Sequence, residues 1–187
     1  MEKQILVCLV TKNKDKLAAA QLAFEGTNIV LKESNLDYPE IQAESSIDIA
    51  KFTALQAAKD EGLPAIREDH SLFINYLGGF PGPYTNYFDK NMPVDKLLEI
   101  MGDAKDRTGY FEIAGVLAYP DGKSYEYAYR VPVKISIVCK GNRGNWDKVL
   151  MLPDSDTTFA ETSSESRRAV WNKNFLKIKE ILTKGFV

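Results

Sequence analysis

A chain of 187 residues can bury one substantial hydrophobic core, and 44% hydrophobic with 27% charged residues is the composition of a globular protein. Its 24 Lys and Arg against 26 Asp and Glu leave a formal net charge of −2, which excludes a general nucleic-acid or membrane-surface binder, since those carry a basic excess. No apolar segment approaches the roughly 20 residues that span a bilayer. The apolar run at 5–10 is short and leads into Lys12, Lys14 and Lys16, unlike a signal peptide. Cys8 and Cys139 lie in apolar, strand-like runs without metal-ligand spacing and read as buried thiols of a reducing compartment. A cytoplasmic protein without nucleic-acid or membrane partners is expected.

In chain order, residues 5–10 read as a fully buried strand and 29–32 as a shorter one, with Leu17, Ala20 and Phe24 at helical spacing between them. Ser46 can cap a helix whose apolar face is Ile47, Ala50, Ala54, Ala57 and Ala58, with Gly62 as its stop. A short apolar run from Leu63 to Ile66 closes on the acid pair Glu68-Asp69, and the cluster Gly78-Gly79-Phe80-Pro81-Gly82-Pro83 forms a rigid turn. Val94, Leu97, Leu98 and Met101 mark a short helix between Pro93 and Gly102. Residues 110–119 are strand-like, Pro120-Asp121-Gly122 is a turn, and the alternation from Tyr125 to Ile137 predicts a long second strand of an antiparallel hairpin. Thr162-Ser163-Ser164-Glu165 fits a capping box for a final helix carrying Trp171, Phe175, Ile178 and Leu182. Helices alternating with strands, plus the hairpin, predict an α/β fold: a mixed central sheet flanked by helices, built as a single domain over 1–187.

The segment Thr11-Lys12-Asn13-Lys14-Asp15-Lys16 lies where the first strand passes into the first helix, a junction whose free N–H groups and dipole favour phosphate. The same hexamer also reads as a capped helix start with a solvated lysine run. Glu68-Asp69 at a strand end sits where α/β proteins place ligands, although a solvated strand end looks alike in sequence. Glu40, Glu68 and Asp69 together can supply the oxygen ligands that Mg²⁺ takes beside substrate phosphates, with Lys16 and Lys51 neutralising a polyphosphate.

Four blocks then resemble the inosine triphosphate pyrophosphatase family. Residues 11–16 are similar to its Thr-Gly-Asn-x-x-Lys loop, and Leu36-Asp37-Tyr38-Pro39-Glu40-Ile41-Gln42 to its Leu-Pro-Glu-x-Gln segment. Glu68-Asp69-His70-Ser71-Leu72 resembles Glu-Asp-Thr-Gly-Leu, and Leu77 to Tyr84 matches Leu-Gly-Gly-x-Pro-Gly-Pro-Tyr almost letter for letter. Arg107 to Phe111 and Thr158 to Glu161 extend the similarity along the chain. The resemblance implies an elongated mixed sheet in two lobes with a nucleotide cleft between them, a homodimer, and hydrolysis of non-standard purine nucleoside triphosphates (ITP, dITP, XTP) to monophosphate and pyrophosphate. It implies Asp69 as the essential carboxylate and Glu40, Asp69 and Glu68 as ligands of Mg²⁺, or of Mn²⁺. It further implies that Thr11, Asn13, Lys16 and Lys51 grip the triphosphate while water attacks the α-phosphorus.

The departures gather at base recognition. Where the family has Phe-Gly-Tyr/Trp-Asp-Pro, this chain has Gly144-Asn145-Trp146-Asp147-Lys148. One face of the base sandwich is lost, while Trp146 is expected as a stacking platform and Asp147 as an acceptor. The family's Lys-Asn-Ala-x-Ser-His-Arg corresponds to residues 167–173, so Arg167 stands for its lysine, and Asn172 and Lys173 for its histidine and arginine. Both replacements still donate hydrogen bonds, with other reach and geometry. Lys12 replaces a glycine, and His70, the one histidine, follows Asp69 where it can contact pyrophosphate. These changes keep a second reading open: a nucleotide-binding or regulatory protein of weak or no activity on the same fold.

Overall fold

A computed structural model describes residues 3–34, 36–39 and 41–184, apart from the side chains of Ser164, Arg167 and Arg168. Glu40, expected among the metal ligands, lies outside the described residues. The framework is a mixed sheet flanked by helices. It comprises β1 (Ile5–Val10), α1 (Lys14–Phe24), β2 (Ile29–Glu33), α2 (Ser46–Glu61), β3 (Ala65–Ile74), β4 (Pro81–Gly82), α3 (Thr85–Asn91), α4 (Val94–Met101), β5 (Thr108–Ala118), β6 (Ser124–Ile135), β7 (Leu150–Met151), α5 (Ser164–Trp171) and α6 (Lys173–Lys184). Strand order is β2-β1-β3-β5-β6-β7, with β4 added on β3. β1 pairs in parallel with both β2 and β3, as strands joined through crossover helices must. β5 and β6 form the expected hairpin, its turn closed by the Tyr119 N–H on the Lys123 carbonyl at 2.8 Å.

The chain divides into two compact units: residues 1–69, 113–129 and 168–187 in the first, 70–112 and 130–167 in the second. β3, β5 and β6 each contribute residues to both.

The core of the first unit follows from the two-residue period of its strands. Val7, Leu9, Ile66 and Leu117 face one side, where they pack with Ala20 and Phe24 of α1 and Phe175 and Ile178 of α6. Cys8, Val10, Ala65, Val116 and Ala118 face the other, against Ala50, Ala54, Ala57 and Ala58 of α2. Phe24 and Phe175 meet edge to face, their ring centres 6.3 Å apart. Phe175→Ala is therefore expected to destabilise the protein by about 3–5 kcal/mol, read as a lowered urea midpoint with little change in slope.

In the second unit the Gly-Pro turn is tied directly to β3. Pro81 and Gly82 pair antiparallel with Phe73 and Leu72, across a cis Phe80–Pro81 peptide. The Thr85 hydroxyl accepts from the Leu72 N–H and donates to the Gly82 carbonyl, both at 2.6 Å.

Several boundaries differ from expectation. Ser45, not Ser46, caps α2, accepting from the Asp48 N–H at 3.1 Å, while Ser46 is buried inside the helix. Ser163 rather than Thr162 accepts from the Ser166 N–H near the start of α5. The final helix is interrupted at Asn172 and resumes as α6. β6 ends at Ile135, whose N–H donates to the Arg107 carbonyl at 2.8 Å just ahead of the first residue of β5, so its neighbour in the sheet runs out there. Ile137, expected inside the strand, is 73% exposed, and Cys139 is exposed rather than buried.

Candidate active site

The parallel register of β1 on β3 sets the geometry. Val10 lies opposite Arg67, so Thr11 leaves β1 where β3 reaches Glu68 and Asp69. The turn into α1 is held by its own side chains. The Thr11 hydroxyl accepts from the Asn13 N–H at 3.1 Å, and Asn13 Oδ1 accepts from the N–H groups of Asp15 and Lys16 at 2.9 and 3.3 Å. Asn13 is thus the N-cap of an 11-residue helix and presets the junction. Lys12 turns outward to Asp37 at 2.7 Å, and that hydrogen bond holds the Asp37 carboxyl below its usual range.

β3 presents the acid pair to opposite sides, since successive strand side chains alternate. Glu68 follows Ile66 toward α1 and α6, whereas Asp69 follows Ala65 toward α2. Glu68 is only 4% exposed. Its Oε2 stands 3.7 Å from Lys16 Nζ, which also donates to the Glu68 carbonyl at 3.1 Å. Its Oε1 accepts from the side-chain amide of Asn174. Glu68, expected among the metal ligands, is therefore engaged with a lysine and an amide, while Asp69 is half-buried on the other side. Among the described residues no three His, Cys, Asp or Glu side chains form a metal cage.

Lys51 lies on α2, paired with Glu126 of β6 at 2.7 Å, and this hydrogen bond raises the ammonium above its usual range. Asn172 occupies the link between α5 and α6, where its carbonyl accepts from the Leu176 N–H at 3.1 Å. Lys173 opens α6 with its Nζ 5.5 Å from the centre of the Tyr129 ring. The Tyr129 hydroxyl donates to the Val170 carbonyl at 3.0 Å. Burial, with the nearby charge of Glu68, pushes that phenol well above its usual range. Arg167 lies in α5, its side chain outside those described.

In the second unit, His70 continues β3 as a half-buried residue. Trp146 and Asp147 sit in a single 3-10 turn, Trp146–Lys148. Trp146 is 1% exposed, its indole N–H donates to the Met92 carbonyl at 2.9 Å, and its backbone N–H donates to Asp89 at 2.9 Å. Its rings are core, so the stacking platform expected of Trp146 has no exposed face. Gly144 has φ +62°, and a Cβ there would stand 2.9 Å from the Asp147 Cβ. A phenylalanine cannot occupy that position without displacing Asp147.

Asn174 escaped the sequence reading. It is 0% exposed and lies on the same face of α6 as Ile178 and Ile181. An asparagine at helical spacing within an apolar stripe was the available signal, because a buried amide needs partners.

Residues 7–174 match the model of the Ham1 family. A dITP/XTP pyrophosphatase of Thermococcus kodakarensis is 30% identical over 165 residues, covering 88% of this chain and 89% of that protein. One of Methanopyrus kandleri is 33% identical over 165 residues, covering 86% of each. Among solved structures, a HAM1 protein from Coxiella burnetii shares the fold with a TM-score of 0.84 at 24% identity, over 97% of this chain and 100% of that one. The Ham1 protein of Staphylococcus aureus gives 0.79 at 21% identity, over 96% and 98%.

Proposed function

Because the chain belongs to the Ham1 family, we propose that it is a nucleoside triphosphate pyrophosphatase acting on non-standard purine nucleotides of the dITP and XTP kind. The relatives' activity supports this reading. The observation that carries it is the register of β1 on β3, which puts a preset helix N-terminus and Lys16 beside an acid pair. A helix start and a lysine bind phosphate, and Asp69, at the same end of β3 on its other side, is the carboxylate that acts on water in this reading.

In this reading Thr11, Asn13 and Lys16 hold the triphosphate. Asp69 takes a proton from the attacking water as its oxygen bonds to the α-phosphorus. The bond from that phosphorus to the bridging oxygen breaks, and pyrophosphate leaves. The donor set suits Mg²⁺, which needs only one or two carboxylates beside substrate phosphates rather than a protein cage. Asp69 with Glu40 would hold Mg²⁺, or Mn²⁺, whose charge offsets that of the phosphates. Glu68, already engaged, holds Lys16 in place. Asn172 and Lys173 donate to the base edge, and Asp147 keeps the acceptor role the family resemblance gives it. That resemblance also leads us to place a homodimer in the cytoplasm, for which light scattering should give twice the chain mass.

Lys51 reaches the triphosphate only after leaving Glu126. Glu126→Gln is expected to lower KM for dITP about two- to fivefold with an unchanged thermal midpoint, since exposed ion pairs add little stability. An unchanged KM would separate Lys51 from substrate binding. The test of the reading as a whole is pyrophosphate release from ITP, dITP, XTP and the standard nucleotides. Tight binding without release from any of them would favour the non-enzymatic alternative.

A further inference from the structure

We propose that Asn174 is a positioning residue for the triphosphate end of the site, acting through Glu68 on Lys16; the triphosphate part rests on the reading above. The contacts form one line. The Asn174 amide donates to Glu68 Oε1, Glu68 Oε2 faces Lys16 Nζ at 3.7 Å, and Lys16 Nζ also donates to the Glu68 carbonyl at 3.1 Å. The Asn174 oxygen accepts from the Phe175 N–H at 2.9 Å, so the amide has one orientation: its NH₂ must face Glu68.

A buried carboxylate needs hydrogen-bond donors as well as charge partners to stay ionised and in one rotamer. Asn174 supplies that donor from α6. β5 is shaped to admit it, because a Cβ on Gly115 would stand 2.8 Å from the Asn174 Cβ and 2.9 Å from its Nδ2. Glu68 thereby becomes a fixed anion that aims Lys16, instead of a mobile one that competes with phosphate for it. Asn174 also pins the first turn of α6, which Lys173 opens and Asn172 precedes. The segment assigned to the base and the lysine assigned to the triphosphate are thus tied to one buried carboxylate.

The test is a double-mutant cycle on binding of inorganic triphosphate by the full chain, followed by titration calorimetry. Asn174→Ala and Lys16→Gln are compared alone and together. Asn174→Ala is expected to weaken binding at least fivefold in the native background and less than twofold beside Lys16→Gln, since coupled residues are not additive. Any other pair of factors overturns the proposal, equal losses in both backgrounds above all, because a merely structural asparagine would give those. If Asn174→Ala does not fold, Gly115→Ala, which displaces the amide from β5, replaces it in the cycle with the same criteria. Triphosphate binding needs no turnover. A protein that passes the cycle but hydrolyses no dITP would sink the pyrophosphatase reading and leave the Asn174 assignment supported.

Discussion

Asp69→Asn is expected to lower pyrophosphate release from dITP about a thousandfold or more while leaving the thermal midpoint and nucleotide binding near those of the parent. Loss of a positioned general base alone costs about 10²–10⁴ in rate, and the substitution also removes a charge that would neutralise a metal. Asp69 is half-buried, and Asn keeps its shape, so little structural loss should accompany the kinetic one. The split between rate and binding is the informative part. A variant that keeps more than a tenth of parental turnover would show that the water is activated elsewhere.

Lys16→Met should behave differently, because Lys16 serves two partners. Its side chain is largely buried against Glu68, itself almost fully enclosed. Removing the cation takes an ion-pair partner from a buried carboxylate, and breaking such a pair costs about 3–5 kcal/mol. In the proposed function the same change also deletes a phosphate contact, so KM for dITP should rise at least tenfold. Both losses should appear in one variant, the first in urea unfolding and the second in kinetics. Restoring the charge with Lys16→Arg should recover most of the stability but less of the KM, since a planar guanidinium cannot repeat both the 3.1 Å contact to the Glu68 carbonyl and the approach to its carboxylate. A normal KM in Lys16→Met would remove Lys16 from the phosphate site.

Much of the frame was legible because local chemistry and tertiary placement agree. From Val7 to Val10 the apolar run is buried on both faces, although Leu6, expected inside, is exposed, and the alanines of α2 sit against the sheet as their helical spacing predicted. The Gly-Pro turn is a turn, docked on β3 through Thr85. Misreadings arose where a residue's partner lies far along the chain. Ile137 looked like the next step of an alternating strand, but a strand continues only while another pairs with it, and β5 begins only at Thr108, beside Ile135. Trp146 looks available for stacking in sequence, but its buried indole donates its N–H to Met92, 54 residues away. Glu68 and Asp69 are neighbours in sequence, and the pleat sends them to opposite sides of the sheet. Asn174 and Glu68, 106 residues apart, could meet only once α6 had packed beneath β3 and β5.

The departures at the base end now have physical content. Gly144 at φ +62° cannot take a ring without moving Asp147, and Trp146 belongs to the core, so neither supplies an aromatic face at this position. In the proposed function discrimination therefore falls to hydrogen bonds at the base edge, which reject analogues lacking the matching group far better than an apolar contact does.

The most direct measurement is kcat/KM for pyrophosphate release from dITP and XTP against dATP and dGTP, in Mg²⁺, with folded wild-type protein. The proposed function predicts release from dITP or XTP at least about a hundredfold more efficient than from either standard nucleotide, with pyrophosphate and monophosphate in equal amounts. Equal efficiency across the four, or no release from any, would contradict it.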